Sequence, residues 1–169
     1  IACIVTATTE EPAVHLPGVD LVKVRVEDHP MANLQAYFDM VADKIRQVRD
    51  AGGQTLVHCV AGVSRSASLC MVYLLKHGGL SLRQAYFQVK SARSIINPTP
   101  GFWRQMIQYE LRLRGRATVK LRPVSEGGDI PDVYGEARRP PLNFRAMAAA
   151  LASSSQSKTK ASLGKPQSS

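Results

Sequence analysis

The segment His58-Cys59-Val60-Ala61-Gly62-Val63-Ser64-Arg65-Ser66 sets a thiol and a guanidinium apart by five residues, with a glycine between them. That spacing suits an anion site. If the segment curls, the backbone N–H groups of Val60, Ala61, Gly62, Val63, Ser64 and Arg65 converge into a nest capped by a helix N-terminus. Arg65 then offers a phosphate two parallel donors in one plane. The same positive field favours the thiolate of Cys59, which becomes a nucleophile beneath a bound phosphorus. Ser66 stands where its hydroxyl can donate to that sulfur and ease its departure from a thiophosphate. A cysteine by itself is more often a buried structural thiol, which is the reading given to Cys3 and Cys70.

Phosphoryl transfer to a sulfur also calls for an acid. The departing alkoxide or phenoxide needs a proton from a group on a different loop, above the pocket. Glu27-Asp28-His29-Pro30 supplies such a loop, and Asp28, 31 residues ahead of Cys59, is the candidate. Taken alone, an acid just before proline at a helix entry is more often a turn or capping residue. Glu27 and His29 are weaker candidates. His58 reads as structural, orienting the cysteine loop.

The elements that must hold these groups follow from hydrophobic spacing. Residues 1–6 predict a short buried strand. Over 21–26, Val22, Val24 and Val26 alternate with Lys23 and Arg25, the pattern of a half-buried strand. Leu34, Tyr37, Phe38, Val41, Ala42, Ile45 and Val48 then recur at helical spacing, so a helix is expected to about residue 50, stopped by Gly52-Gly53. Residues 55–58 predict a strand that ends at Cys59, and 66–76 an apolar helix closed by Gly78-Gly79. Ser81-Leu82-Arg83-Gln84 has the form of a capping box opening a helix to about residue 93. After the loop Asn97-Pro98-Thr99-Pro100-Gly101, a last helix carries Phe102, Met106, Tyr109 and Leu113 on one stripe, and 118–121 reads as a short extended piece. The result is an α/β domain with its helices weighted to the C-terminal half.

Composition narrows the class. With 169 residues, 44% of them apolar, the chain can bury one real core. No run approaches the roughly 18 apolar residues of a membrane span. The start at Ile1-Ala2-Cys3 has neither an initiator Met nor a leader pattern, so an upstream part is expected to be missing. Three cysteines without metal-type spacing argue for a reducing compartment, against a disulfide scaffold and against a zinc site. The net charge is +9, but residues 1–110 carry 11 Lys/Arg against 9 Asp/Glu, and residues 111–169 carry 11 against 4. Arg112, Arg114, Arg116, Lys120 and Arg122 therefore read as a solvated face rather than a nucleic-acid patch. Residues 135–169 are rich in Ala, Ser, Lys and Pro and predict a basic, low-complexity, disordered tail.

The stretch from Val57 through Cys59 and Arg65 to Ala67 resembles the phosphate loop of the small, atypical dual-specificity phosphatases, within the cysteine-based tyrosine phosphatase superfamily. The stretch from Val24 through Asp28 to Pro30 is similar to their general-acid loop. Ala92-Arg93, Gly101-Phe102-Trp103-Arg104-Gln105 and Tyr109-Glu110 resemble their helical half. Thr118-Val119-Lys120 and Ile130-Pro131-Asp132-Val133-Tyr134 resemble an extension carried by one subgroup. The resemblance implies a catalytic domain over 1–134 with a central twisted sheet flanked by helices, lacking the family's first strands and so leaving an open sheet edge. It implies Cys59 as nucleophile, Arg65 as phosphate clamp, Asp28 as acid and then base, and Ser66 as helper of the departing thiolate. It also implies hydrolysis of phosphotyrosine and phosphoserine or phosphothreonine, with no cofactor and no metal.

The partners implied are phosphoprotein substrates, among them MAP kinases or other signalling proteins, with no membrane, and the compartment cytoplasmic or nuclear. The uncharged loop residues Val60, Ala61, Val63 and Ser64 do not suit an inositol lipid, which would call for lysine. In the family an Asn stands where this chain has Thr99, and it braces the active-site loops. Two alternatives accompany the leading reading: a phosphatase-like binding module that turns over poorly, and an RNA 5′-end phosphatase suggested by the basic C-terminal half.

Overall fold

The computed structural model describes residues 1–9 and 16–136. Strands β1 (Cys3–Thr6), β2 (Asp20–Lys23) and β3 (Thr55–His58) form a parallel sheet in the order β2-β1-β3. Cys3 pairs with both Asp20 and Thr55, and Thr6 with both Lys23 and His58, so the three carboxyl ends lie level. In open α/β sheets ligands collect at that edge. The loops bearing Asp28 and Cys59 both leave from it. β1 runs down the middle, with Cys3 and Val5 fully buried. Among the described residues β3 borders no further strand, and its Leu56 is 44% exposed, the open edge expected above.

Two expected elements are shorter or tighter than their sequence patterns. The strand expected over 21–26 leaves the ladder after Lys23. Val24 N–H still reaches the Thr6 carbonyl at 2.9 Å, but Thr6 is the last residue of β1, and Val26 N–H turns back to Val24 at 3.1 Å. Val24 and Val26 stay buried while Arg25 is exposed, so the alternation holds where the pairing stops. The helix expected from Leu34 opens instead as a 3₁₀ turn, Gln35–Tyr37, before α1 (Phe38–Asp50). Two N–H groups of that turn are claimed by side chains, Gln35 by Gln105 Oε1 at 2.8 Å and Ala36 by Asn33 Oδ1 at 3.2 Å.

α2 (Arg65–His77) is the central helix, and Leu69, Met71, Val72 and Leu75 on it are fully buried. α3 (Leu82–Ala92) opens with the expected capping box. Ser81 Oγ accepts from Gln84 N–H at 3.1 Å and Gln84 Oε1 accepts from Ser81 N–H at 3.0 Å, a cap worth about 1 kcal/mol. α4 (Pro100–Arg114) is capped by Thr99 and buries Phe102, Trp103, Met106 and Tyr109. Leu113, expected on the same stripe, is 40% exposed. In that last turn it is Arg114 that meets the body of the protein, donating to the Leu75 carbonyl near the end of α2 at 2.7 Å, where a cation is favoured.

Beyond Gly115 the extended piece expected over 118–121 becomes one arm of a hairpin, β4 (Leu121–Pro123) with β5 (Asp129–Pro131), followed by α5 (Val133–Glu136). Glu110, only 1% exposed, anchors this extension. Its carboxylate accepts from Thr118 N–H at 2.6 Å and from Leu82 N–H at the start of α3 at 2.8 Å. A buried carboxylate so satisfied is a tie between elements rather than a liability. The basic tail expected over 135–169 lies, beyond Glu136, outside the described residues.

Candidate active site

Cys59 stands directly after β3, half-buried, with Sγ 3.2 Å from Ser66 Oγ. Burial alone would push its thiol up. That effect is outweighed by hydrogen bonds from the Ser66 hydroxyl and from the backbone of Ser66 and Gly62, and by the charge of Arg65, which together hold Cys59 below the ordinary thiol range. The other two cysteines go the opposite way. Burial pushes Cys70 up to about 11 and raises Cys3 as well, as befits inert structural thiols.

The loop 60–64 takes its shape from Gly62, whose φ of +64° is left-handed. A Cβ there would also press on the Arg93 guanidinium. Ser64 occupies the N-cap of α2 but makes no side-chain cap; its Oγ accepts instead from Thr99 N–H at 3.1 Å. The first N–H groups of α2 are thus left to the concave side of the loop, where an anion is favoured. The bond that Thr99 makes to Ser64 uses its backbone, while its hydroxyl caps α4 through Phe102 N–H at 3.4 Å. A threonine serves both purposes.

Arg65 is 4% exposed and joins the two expected loops, since Nη1 donates to the Val26 carbonyl at 3.1 Å. From there the chain runs through Glu27, Asp28 and His29, all exposed. His29 Nδ1 accepts from Met31 N–H at 3.0 Å, which makes it a turn residue. The far end of this loop rests on α4: a side chain at Gly101 would collide with the Pro30 carbonyl, and Gln105 Nε2 donates to the Ala32 carbonyl at 2.8 Å. His58 Nε2 pairs with Thr6 Oγ1 at 2.9 Å, a bond between β3 and β1.

Sequence reasoning assigned no role to the residues that hold the loop from outside. A nest that turns its N–H groups inward must turn carbonyls outward. Arg93 at the end of α3 takes two of them, Nε on Gly62 at 2.9 Å and Nη2 on Ala61 at 3.0 Å. Asn97 N–H takes the third, that of Val63, at 2.8 Å. A cation just past a helix end was the available signal, but no spacing rule says which carbonyls it meets.

Residues 1–112 match the model of the family described as dual specificity phosphatase, catalytic domain. The chain belongs to the dual specificity phosphatases. Human dual specificity protein phosphatase 14 is 50% identical to it over 139 residues, 82% of this chain and 70% of the relative. Mouse dual specificity protein phosphatase 18 is 43% identical over 139 residues, 82% of this chain and 73% of its own length. The crystal structure of human DUSP28 superposes with a TM-score of 0.66 at 38% identity, covering 68% of this chain and 77% of that one. These likenesses identify a small, atypical member of the tyrosine phosphatase superfamily, with the α/β fold expected from the sequence. It is an enzyme, a protein phosphatase, and neither the binding-module nor the RNA-end reading is favoured. No helix among the described residues is long and apolar enough to cross a membrane.

Proposed function

We propose that this phosphatase works through a cysteinyl-phosphate intermediate in which Cys59 is the nucleophile. The observation that carries the reading is the one thiol whose surroundings favour the thiolate, set at the mouth of a loop with Arg65 buried beside it. The thiolate attacks phosphorus, and the bond from phosphorus to the substrate oxygen breaks. Asp28 gives its proton to that oxygen. Water then attacks the phosphocysteine, Asp28 takes a proton from it, and the sulfur leaves as thiolate with the Ser66 hydroxyl donating to it. The amides of Val60, Ala61, Gly62, Val63, Ser64 and Arg65, with the Arg65 guanidinium, hold the phosphoryl oxygens throughout.

The rest of the reading concerns substrate and setting. Uncharged side chains around the loop suit phosphotyrosine, phosphoserine and phosphothreonine in proteins, MAP kinases and other signalling proteins among them. Residues 1–134 form the catalytic domain. A thiolate that must stay reduced suits the cytoplasm or the nucleus. The test is Cys59→Ser, whose hydroxyl is not ionised at neutral pH. Turnover of an aryl phosphate and of phosphopeptides falls to background while vanadate binding persists. Residual turnover above a few per cent of wild type overturns the assignment.

A further inference from the structure

The matched family domain ends at residue 112, yet the extension that follows it reaches back to the phosphate loop. Tyr134, in α5, donates its hydroxyl to Asn97 Oδ1 at 2.9 Å. The backbone N–H of the same asparagine holds the Val63 carbonyl at 2.8 Å. The phenol oxygen is in turn fixed by a donor from below, Trp103 Nε1 at 3.0 Å, and Trp103 is fully buried. The Tyr134 ring packs edge-on to Trp103 at 6.0 Å and tilted on the buried Tyr86 at 5.7 Å. The segment leading to it is tied down at three points. Asp132 pairs with Arg83 at 3.2 Å, Asp129 with Arg104 at 2.8 Å, and Thr118 with the buried Glu110.

We infer that Tyr134 is a positioning residue for the phosphate loop, acting through Asn97 on Val63. The inference rests on the reading of 59–65 as the phosphate site. Its logic is geometric. Amides aimed inward serve an anion only while the peptide planes keep their tilt, and each plane is set by what its outward carbonyl meets. Arg93 sets two planes from a long, exposed side chain. The third is set by a short loop whose asparagine is pinned by a phenol that a buried indole holds in place. Tyr134 therefore links the extension to chemistry that it does not touch.

The test uses the full chain with Tyr134→Phe, which keeps the ring packing and removes the donor. The expected result is a loss in kcat/KM of about three- to tenfold, the range one neutral hydrogen bond commands. It appears together with a shift to higher pH of the iodoacetate alkylation profile of Cys59, because displaced amides stabilise the thiolate less. Asn97→Ala removes the acceptor without touching the aromatic cluster and gives the same two changes. The double variant loses no more than either single one, since both break one path. A Tyr134→Phe protein that melts lower but keeps the wild-type alkylation profile and kcat/KM overturns the inference, as does full additivity with Asn97→Ala. Either result leaves Cys59 the alkylated residue in the parent protein. Failure of the nucleophile reading shows itself differently, as turnover surviving in Cys59→Ser.

Discussion

The two loops at the carboxyl end of the sheet are built in opposite ways. The loop 59–65 is gripped from outside at three successive carbonyls, capped by Gly62 in a left-handed turn, and closed by an Arg65 that is 4% exposed. The loop 27–32 is held at its two ends, by Arg65 on the Val26 carbonyl and by Gln105 on the Ala32 carbonyl, and Glu27, Asp28 and His29 between them are exposed. The difference fits the two chemical tasks proposed for these loops. Stabilising a thiolate and a transferring phosphoryl group is electrostatic work, and fixed dipoles do it without reorganising. Delivering one proton needs a single carboxyl within reach of leaving groups of different sizes, serine, threonine or tyrosine, and an exposed loop held at its ends admits all three.

Substitutions at the groups that belong to one loop, the other, or both test this contrast. The largest effect is expected where the loops meet. Arg65→Lys keeps the charge but loses the planar fork and the bond to Val26. One transition-state donor is worth about 10²–10³-fold, and lysine forfeits a second in the same plane, so kcat/KM falls on the order of 10⁴-fold. Steady-state kinetics on an aryl phosphate measure it; a loss below about tenfold would mean the fork is not aimed at the phosphate.

Asp28→Asn touches the acid loop alone. On phosphotyrosine or phosphothreonine peptides the loss is about 10²–10³-fold, within the span of general acid catalysis. On an aryl phosphate with a much better leaving group it is distinctly smaller, and the basic limb of the pH profile disappears. Equal losses on both substrates with a bell-shaped profile retained would reduce Asp28 to a turn residue and move attention to Glu27.

The smallest effect belongs to Ser66→Ala, which removes one donor from the sulfur 3.2 Å away. Burial then counts for more against the thiolate, so the Cys59 pKa rises. In the proposed mechanism activity requires the thiolate and is lost as pH falls through that pKa, so the acidic limb of the pH profile moves to higher pH. Turnover at neutral pH drops about three- to tenfold. An acidic limb that does not move would show that the backbone amides and Arg65 alone hold the sulfur ionised.

Much of this molecule is legible without coordinates, for local reasons. The string from His58 to Ser66 carries its own chemistry, because a thiol, a glycine and a guanidinium at that spacing can close around one anion whatever lies beyond. The capping box at Ser81, the stop at Gly52-Gly53 and the buried face of α2 are equally local, since each depends on neighbours within one or two helical turns. Where local patterns failed, a distant partner had intervened. The strand ladder stops at Lys23 because β1 has no residue left to pair with Val26, and the Val26 carbonyl goes instead to an arginine 39 positions on. The 3₁₀ turn ahead of α1 forms where Gln105 takes the Gln35 amide. The hairpin of β4 and β5 escaped notice because three-residue strands leave no periodicity to read, although Gly127 and Gly128 mark the turn between them. Only the tertiary structure could assign Arg93, Asn97 and Tyr134 to the back of the loop 59–65. Their value lies in which carbonyl or amide each meets, and that is settled by how α3, α4 and the extension pack around Trp103.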